Sequence, residues 1–257
     1  MFIERTLGRT HLRVGPLGLS ASYGIPSKAI EASFERGCNY LYFGTRRSPA
    51  FAEAIRNLRR QRERMVLVVQ SYSPIASFLE ISLDRALKSA GVEYADILLL
   101  GLWNRVPPQR IFDASARLQE KGKIRFIGMS AHHRPIFASV AGGPPDVFHT
   151  RYNAVHRGGE TEVFPALSAA GAGVVSYTAT CWRQLLDRNK VPAGERVPTA
   201  ADCYRFVLSN PAVHVCLTGT ANAEQAQHAL TALELGPMSD DELAWMRRAG
   251  DAIYKRN

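Results

Sequence analysis

Cysteine is scarce in this chain, and Cys38, Cys181, Cys203 and Cys216 share no C-x-x-C spacing. That argues against a zinc ribbon, a thioredoxin-type motif and a disulfide framework, and for a reducing compartment. No apolar run approaches the roughly 18 residues that a membrane span needs, so no membrane partner is expected. The opening MFIERTLGRT carries charges where an export signal has its apolar core, so a cytoplasmic protein is the expectation. Acids are outnumbered, with 23 Asp and Glu against 32 Lys and Arg, a net charge of +9. That excess permits nucleic-acid binding without establishing it. The densest basic run, Arg56 to Arg64, reads as the polar end of a helix. Helix-turn-helix, zinc-finger and RNA-binding signatures are missing, so no nucleic-acid partner is expected.

What is present is alternation. Apolar, strand-like runs fall at Leu17–Ser20, Tyr40–Phe43, Met65–Val69, Ile97–Leu100, Ile124–Met129, Val147–His149, Gly173–Tyr177 and Val213–Thr218. Several are continuously apolar, as strands covered on both faces of a parallel sheet must be. Helical patterns separate them: Phe78, Leu79, Leu83 and Leu87 recur at helical spacing before Gly91, and Ile111, Ala114 and Leu118 before Gly122. Eight such pairs in 257 residues predict a (β/α)8 TIM barrel, in one domain over residues 1–257. A doubly wound open sheet is the alternative, because alternation does not show closure. No G-x-G-x-x-G follows the first strand, which disfavours a Rossmann unit. The polar stretch Leu186–Pro198 reads as a loop over one mouth of the barrel.

The residues carry a resemblance. RTLGRTHLRVGPLGLSASYG resembles the entry of aldo-keto reductases, where a β-hairpin closes the barrel floor. FLEISLDRALKSAGVEYADILLLG is similar to that family's third helix and fourth strand, KGKIRFIGMSAHH to its fifth strand, YNAVHR to its sixth and VVSYTA to its seventh. PTAADCYRFVLSNPAVHVCLTGTANAEQAQHAL resembles its last strand and cofactor-clamp region.

The resemblance implies carbonyl reduction with NADPH through an Asp, Tyr, Lys and His tetrad. Here the aspartate position falls on Tyr42, the tyrosine on Arg47, the lysine on Gln70 and the histidine on Gly101. A guanidinium is a poor acid, so ordinary NADPH-dependent carbonyl reduction is not expected. Cofactor positions are partly kept. Ser130 matches the serine at the carboxamide, Tyr177 the aromatic under the nicotinamide, and Gly219 and Thr220 the pyrophosphate loop; the strand-six glutamine falls on His149. The adenine-side arginine and glutamate fall on Gln225 and His228, so any NADP binding is expected to be weak.

In such barrels function sits after the C-terminal ends of the strands. Those segments supply Thr45, Arg46 and Arg47; Gln70 and Tyr72; Trp103 and Asn104; His132; Arg151 and His156; and Cys181, Trp182 and Arg183. This mouth is basic, aromatic and poor in acids, which suits a small anionic molecule held by arginine forks and aromatic faces. The candidates are His132 and Tyr72 for catalysis, with Arg47, Gln70, Trp103 and Asn104 for substrate, and Gly101 leaving space beside them. His132, His149, His156 and Cys181 lack ligand spacing, so no metal is expected. An enzyme of atypical chemistry and a non-catalytic binding or scaffold protein both fit this pattern, as does a weak NADP-dependent oxidoreductase with a relocated proton donor.

Overall fold

A computed structural model describes residues 1–44 and 47–255. Thr45 and Arg46 of the predicted mouth lie outside the described residues. A short antiparallel hairpin, β1 (Arg5–Thr6) and β2 (Arg13–Val14), comes first. Eight strands follow: β3 (Leu17–Ser20), β4 (Tyr40–Phe43), β5 (Val66–Ser71), β6 (Ala95–Leu100), β7 (Ile124–Ser130), β8 (Val147–Arg151), β9 (Gly173–Tyr177) and β10 (Val215–Thr218). They pair in parallel in chain order, and β10 returns to β3, closing the barrel. Closure removes the open-sheet alternative.

The helices between them are α1 (Ser27–Glu35), α2 (Pro49–Asn57), α3 (Ala76–Ala90), α4 (Gln109–Glu120), α5 (Pro135–Val140), α6 (Gly159–Glu162), α7 (Phe164–Ala169) and α8 (Ala200–Leu208), with α9 (Ala223–Leu235) and α10 (Asp240–Tyr254) at the end. Their starts follow local chemistry. Ser48 caps α2, Thr199 and Asp202 form a capping box on α8, and Asn222 caps α9.

Alternation along each strand sorts the core into two layers. Tyr40, Val66, Val68, Ile97, Leu99 and Val215 point inward, where Leu7, Leu12 and Val14 of the hairpin region join them and plug the floor. Leu41, Phe43, Leu67, Val69, Leu98 and Leu100 point outward against the helices. Strands covered on both sides need no polar face, which is why their runs were legible in the sequence.

The basic run is only partly a solvated face. Arg59 and Arg60 are exposed, but Arg62 stacks on Tyr94 at 3.9 Å and reaches the fully buried Asp96 at 2.8 Å. Asp96 also receives Arg125 at 2.9 Å and the Leu67 N–H at 2.8 Å, so its buried charge is fully compensated. The predicted loop from Leu186 is irregular and packs on α10, where Trp245 Nε1 donates to the Arg196 carbonyl at 3.1 Å. Among the described residues, no helix is long and apolar enough to cross a membrane.

Candidate functional site

A cavity of about 790 Å³ opens at the C-terminal ends of the strands and runs from Tyr72 to the start of α9. Its floor is made of side chains from the inward face. The Tyr40 hydroxyl lies 2.8 Å from His149 Nε2, both groups being buried. Burial holds His149 neutral, with its pKa down to about 3, and pushes the Tyr40 phenol well above its usual range. One layer higher, the Tyr42 hydroxyl donates to Gln70 Oε1, and the Tyr42 ring lies 5.6 Å from that of His149.

The wall beside β7 is stitched by backbone. Ser130 Oγ accepts the Leu102 N–H at 3.1 Å, and the Ser130 carbonyl accepts the Trp103 N–H at 2.9 Å. Leu102 takes a positive φ of 52° to make this turn. His132 lines the same wall, its pKa lowered first by burial and then by Arg151. Tyr177, at the end of β9, is raised to about 12, burial outweighing the opposing Arg151 charge. At the far end, Gly219 and Thr220 lead into α9, where Asn222 Oδ1 takes the Gln225 N–H at 2.9 Å. A Cβ on Gly219 would lie 2.9 Å from the Tyr23 ring, so the ring packs closely on this turn.

Thirteen of the singled-out positions therefore meet in one cavity: Tyr42, Gln70, Tyr72, Ser130, His132, His149, Tyr177, Trp182, Arg183, Gly219, Thr220, Gln225 and His228. Arg47, Trp103 and Asn104, expected at the substrate, are not among the residues that line it. Arg47 Nη2 donates to the Gln70 carbonyl at 3.1 Å and to Ser82 Oγ at 3.0 Å, which turns the guanidinium toward α3. Trp103 is buried in the outer core. Asn104 Oδ1 is consumed by the N–H groups of His132 at 2.7 Å and His133 at 3.0 Å. Gly101 leaves no vacant space either, because a Cβ there would fall 2.5 Å from Gln70 Nε2 and 2.7 Å from the Tyr72 ring.

Tyr23, Tyr204 and Asn222 line the cavity without having been singled out. The only sequence signal for Asn222 was its N-cap position before α9. Cys181 is buried with Sγ 3.8 Å from His156 Nδ1, and among the described residues no three His, Cys, Asp or Glu side chains gather to hold a metal.

The Aldo/keto reductase family model matches residues 28–193. The chain belongs to the aldo/keto reductase family. Its barrel is similar to that of aldo-keto reductase AKR11C1 from Bacillus halodurans. With the holo form the TM-score is 0.83 at 18% identity, covering 98% of this chain and 97% of that one. With the apo form it is 0.80 at 20% identity over the same shares. At this identity the likeness shows the fold.

Members of the family commonly bind NADP, and one feature of this cavity fits such a group. Thr220 Oγ1 is buried on the cavity wall with no hydrogen-bond partner among the described residues, an orphan that a ligand oxygen would satisfy. The cavity offers hydroxyls and aromatic faces throughout. At the start of α9, Gln225 Oε1 is already bonded to the Ala221 N–H at 2.9 Å, and Glu224 adds a negative charge to the lining.

Proposed function

We propose that this aldo-keto reductase binds a nicotinamide dinucleotide weakly and acts on a small anionic molecule by a chemistry other than the family's ordinary carbonyl reduction. Ser130, His149 and Tyr177 would hold the nicotinamide end, and Gly219 and Thr220 the pyrophosphate. The bound group supplies or accepts hydride. The observation that carries the reading is the Tyr42–Gln70 pair on the floor. A carboxamide neither titrates near neutral pH nor stabilises a phenolate as an ammonium does. Among the described lining residues the permanent charges are Arg183 and Glu224, with no lysine or aspartate to complete a proton relay.

A relocated donor is the second reading, favoured by Tyr72. Its ring fills the place beside Gly101 and remains 45% exposed, open to a ligand. His132, which also lines the cavity, is the partner acid or base in this reading. A cytoplasmic location belongs to the same proposal, in keeping with four unpaired buried cysteines.

Calorimetry with NADPH and steady-state oxidation of NADPH with a simple aromatic aldehyde test the proposal together. Binding weaker than micromolar, without turnover at rates usual for the family, is expected. The loss of one charge-assisted contact at the adenine end accounts for roughly ten- to a hundredfold in affinity. Submicromolar binding, or turnover that survives Tyr72→Phe and His132→Ala, overturns it.

A further inference from the structure

Arg151 ends β8 on the same inward face as His149, two residues further along the strand. His149 lines the cavity, and Arg151 stands one layer higher on that face, outside the lining itself. Its register partner on β9, Tyr177, and its neighbour Trp182 both line the cavity. The residue is half-buried, and among the described residues its guanidinium has neither a hydrogen bond nor an ion pair; it lies over the face of Trp182, 5.7 Å from the ring centroid.

The two carboxylates of α6, the helix that follows β8, are already paired. Glu160 receives Arg247 at 2.9 Å and the Tyr152 hydroxyl at 2.7 Å, and Glu162 receives Arg134 at 2.9 Å. A partly desolvated arginine without an acid partner is costly unless it meets one from solution. Its charge is felt across the rim: after burial, Arg151 is the next influence lowering His132 and His156, and it opposes the upward push of burial on Tyr177 and Cys181.

The chain also pays to put an aromatic beside this charge. Cys181, Trp182 and Arg183 take consecutive positive φ values of 50°, 52° and 70°, and Thr178 before them has 64°. None is glycine, and left-handed backbone costs such residues on the order of 1 kcal/mol each. The run holds Trp182 outward, 58% exposed, with its edge against His156 and its face toward Arg151, while Arg183 reaches the cavity.

The geometry points to Arg151 and Trp182 as the anchor for the anionic group of the ligand, a carboxylate or phosphate on a flat body that extends into the cavity over Tyr177. This rests on the reading of the cavity as the site of a small anionic molecule, and moves the anion clamp from Arg47 to the end of β8. The guanidinium supplies a two-pronged donor and the indole a stacking face.

Calorimetry with benzoate, its neutral isostere benzamide, and NADPH tests the assignment on wild type, Arg151→Gln, Arg151→Lys and Trp182→Leu. Benzoate should bind wild type at least tenfold more tightly than benzamide. Arg151→Gln should weaken benzoate by about ten- to a hundredfold and leave benzamide and NADPH unchanged. Arg151→Lys should recover part of the loss, since it keeps the charge without the fork. Trp182→Leu, at an exposed position, should weaken benzoate and benzamide alike, and tests the site independently if Arg151→Gln fails to fold. Equal binding of benzoate and benzamide, no binding of either, or unchanged benzoate affinity in Arg151→Gln overturns the assignment. A selective loss of NADPH in Arg151→Gln overturns it as well, because the anion held would then be a cofactor phosphate. Failure of wild type to bind NADPH ends the dinucleotide reading while the benzoate measurements still decide Arg151.

Discussion

Arg47 Nη2 donates to the carbonyl of Gln70 at 3.1 Å, so this side chain braces the end of β5 and is not among those that line the cavity. A bond to Ser82 Oγ at 3.0 Å ties the same nitrogen to α3. Burial, and then the neighbouring Arg85, lower the guanidinium's pKa. Arg47→Ala should therefore leave NADPH and benzoate affinity within about twofold of wild type while lowering stability by about 1–2 kcal/mol. Calorimetry and urea denaturation on the same variant check both halves.

Gly101 is packed by two side chains that a larger residue would strike. Gly101→His should cost about 1–3 kcal/mol through overpacking. Tyr72→Ala removes one of the two obstacles, so the double variant should be more stable than the sum of the single effects predicts. Additive losses in a denaturant double-mutant cycle would show that Tyr72 is not what fills the position.

His149 links stability to pH. Its folded pKa, about 3, lies below the unfolded value of roughly 6.5, so the unfolded chain binds the proton first. The stability it contributes is complete above about pH 6.5 and is lost as pH falls toward 3, at no more than about 1.4 kcal/mol per pH unit. His149→Gln should flatten the melting temperature between pH 6.5 and 4. An unchanged slope would place the acid sensitivity elsewhere.

Glu242 acts in a lower window. Hydrogen bonds from Arg205, and then the Ser239 backbone N–H, bring its carboxyl to about 2. Two contacts to Arg205, at 2.6 and 2.8 Å, join α8 to α10. The carboxylate's contribution is complete above its unfolded pKa of about 4.3 and is lost as pH falls toward 2. Glu242→Gln should lower stability by about 1 kcal/mol at neutral pH, a figure kept small by the carboxylate's exposure. It should have less effect near pH 2, as thermal melts across that range would show.

The order of strands and helices was legible in the sequence because each strand is apolar on both faces and each helix on one, a local periodicity that survives without knowledge of neighbours. The strand ends were legible to within two residues for the same reason, whereas Ser130, His149 and Tyr177 were singled out through the family resemblance; the structure brings all three to the cavity. Closure was decided by tertiary structure, through the pairing of β10 with β3 across some 200 residues of chain. So were the turns of the loop side chains. Arg47 follows a carbonyl on β5 and a hydroxyl on α3, Trp103 follows the outer core, and Asn104 follows two N–H groups after β7. Each of those partners comes from a distant element. A loop residue's direction is set by which unsatisfied donor or acceptor the fold brings within 3 Å, and no spacing within its own segment encodes that.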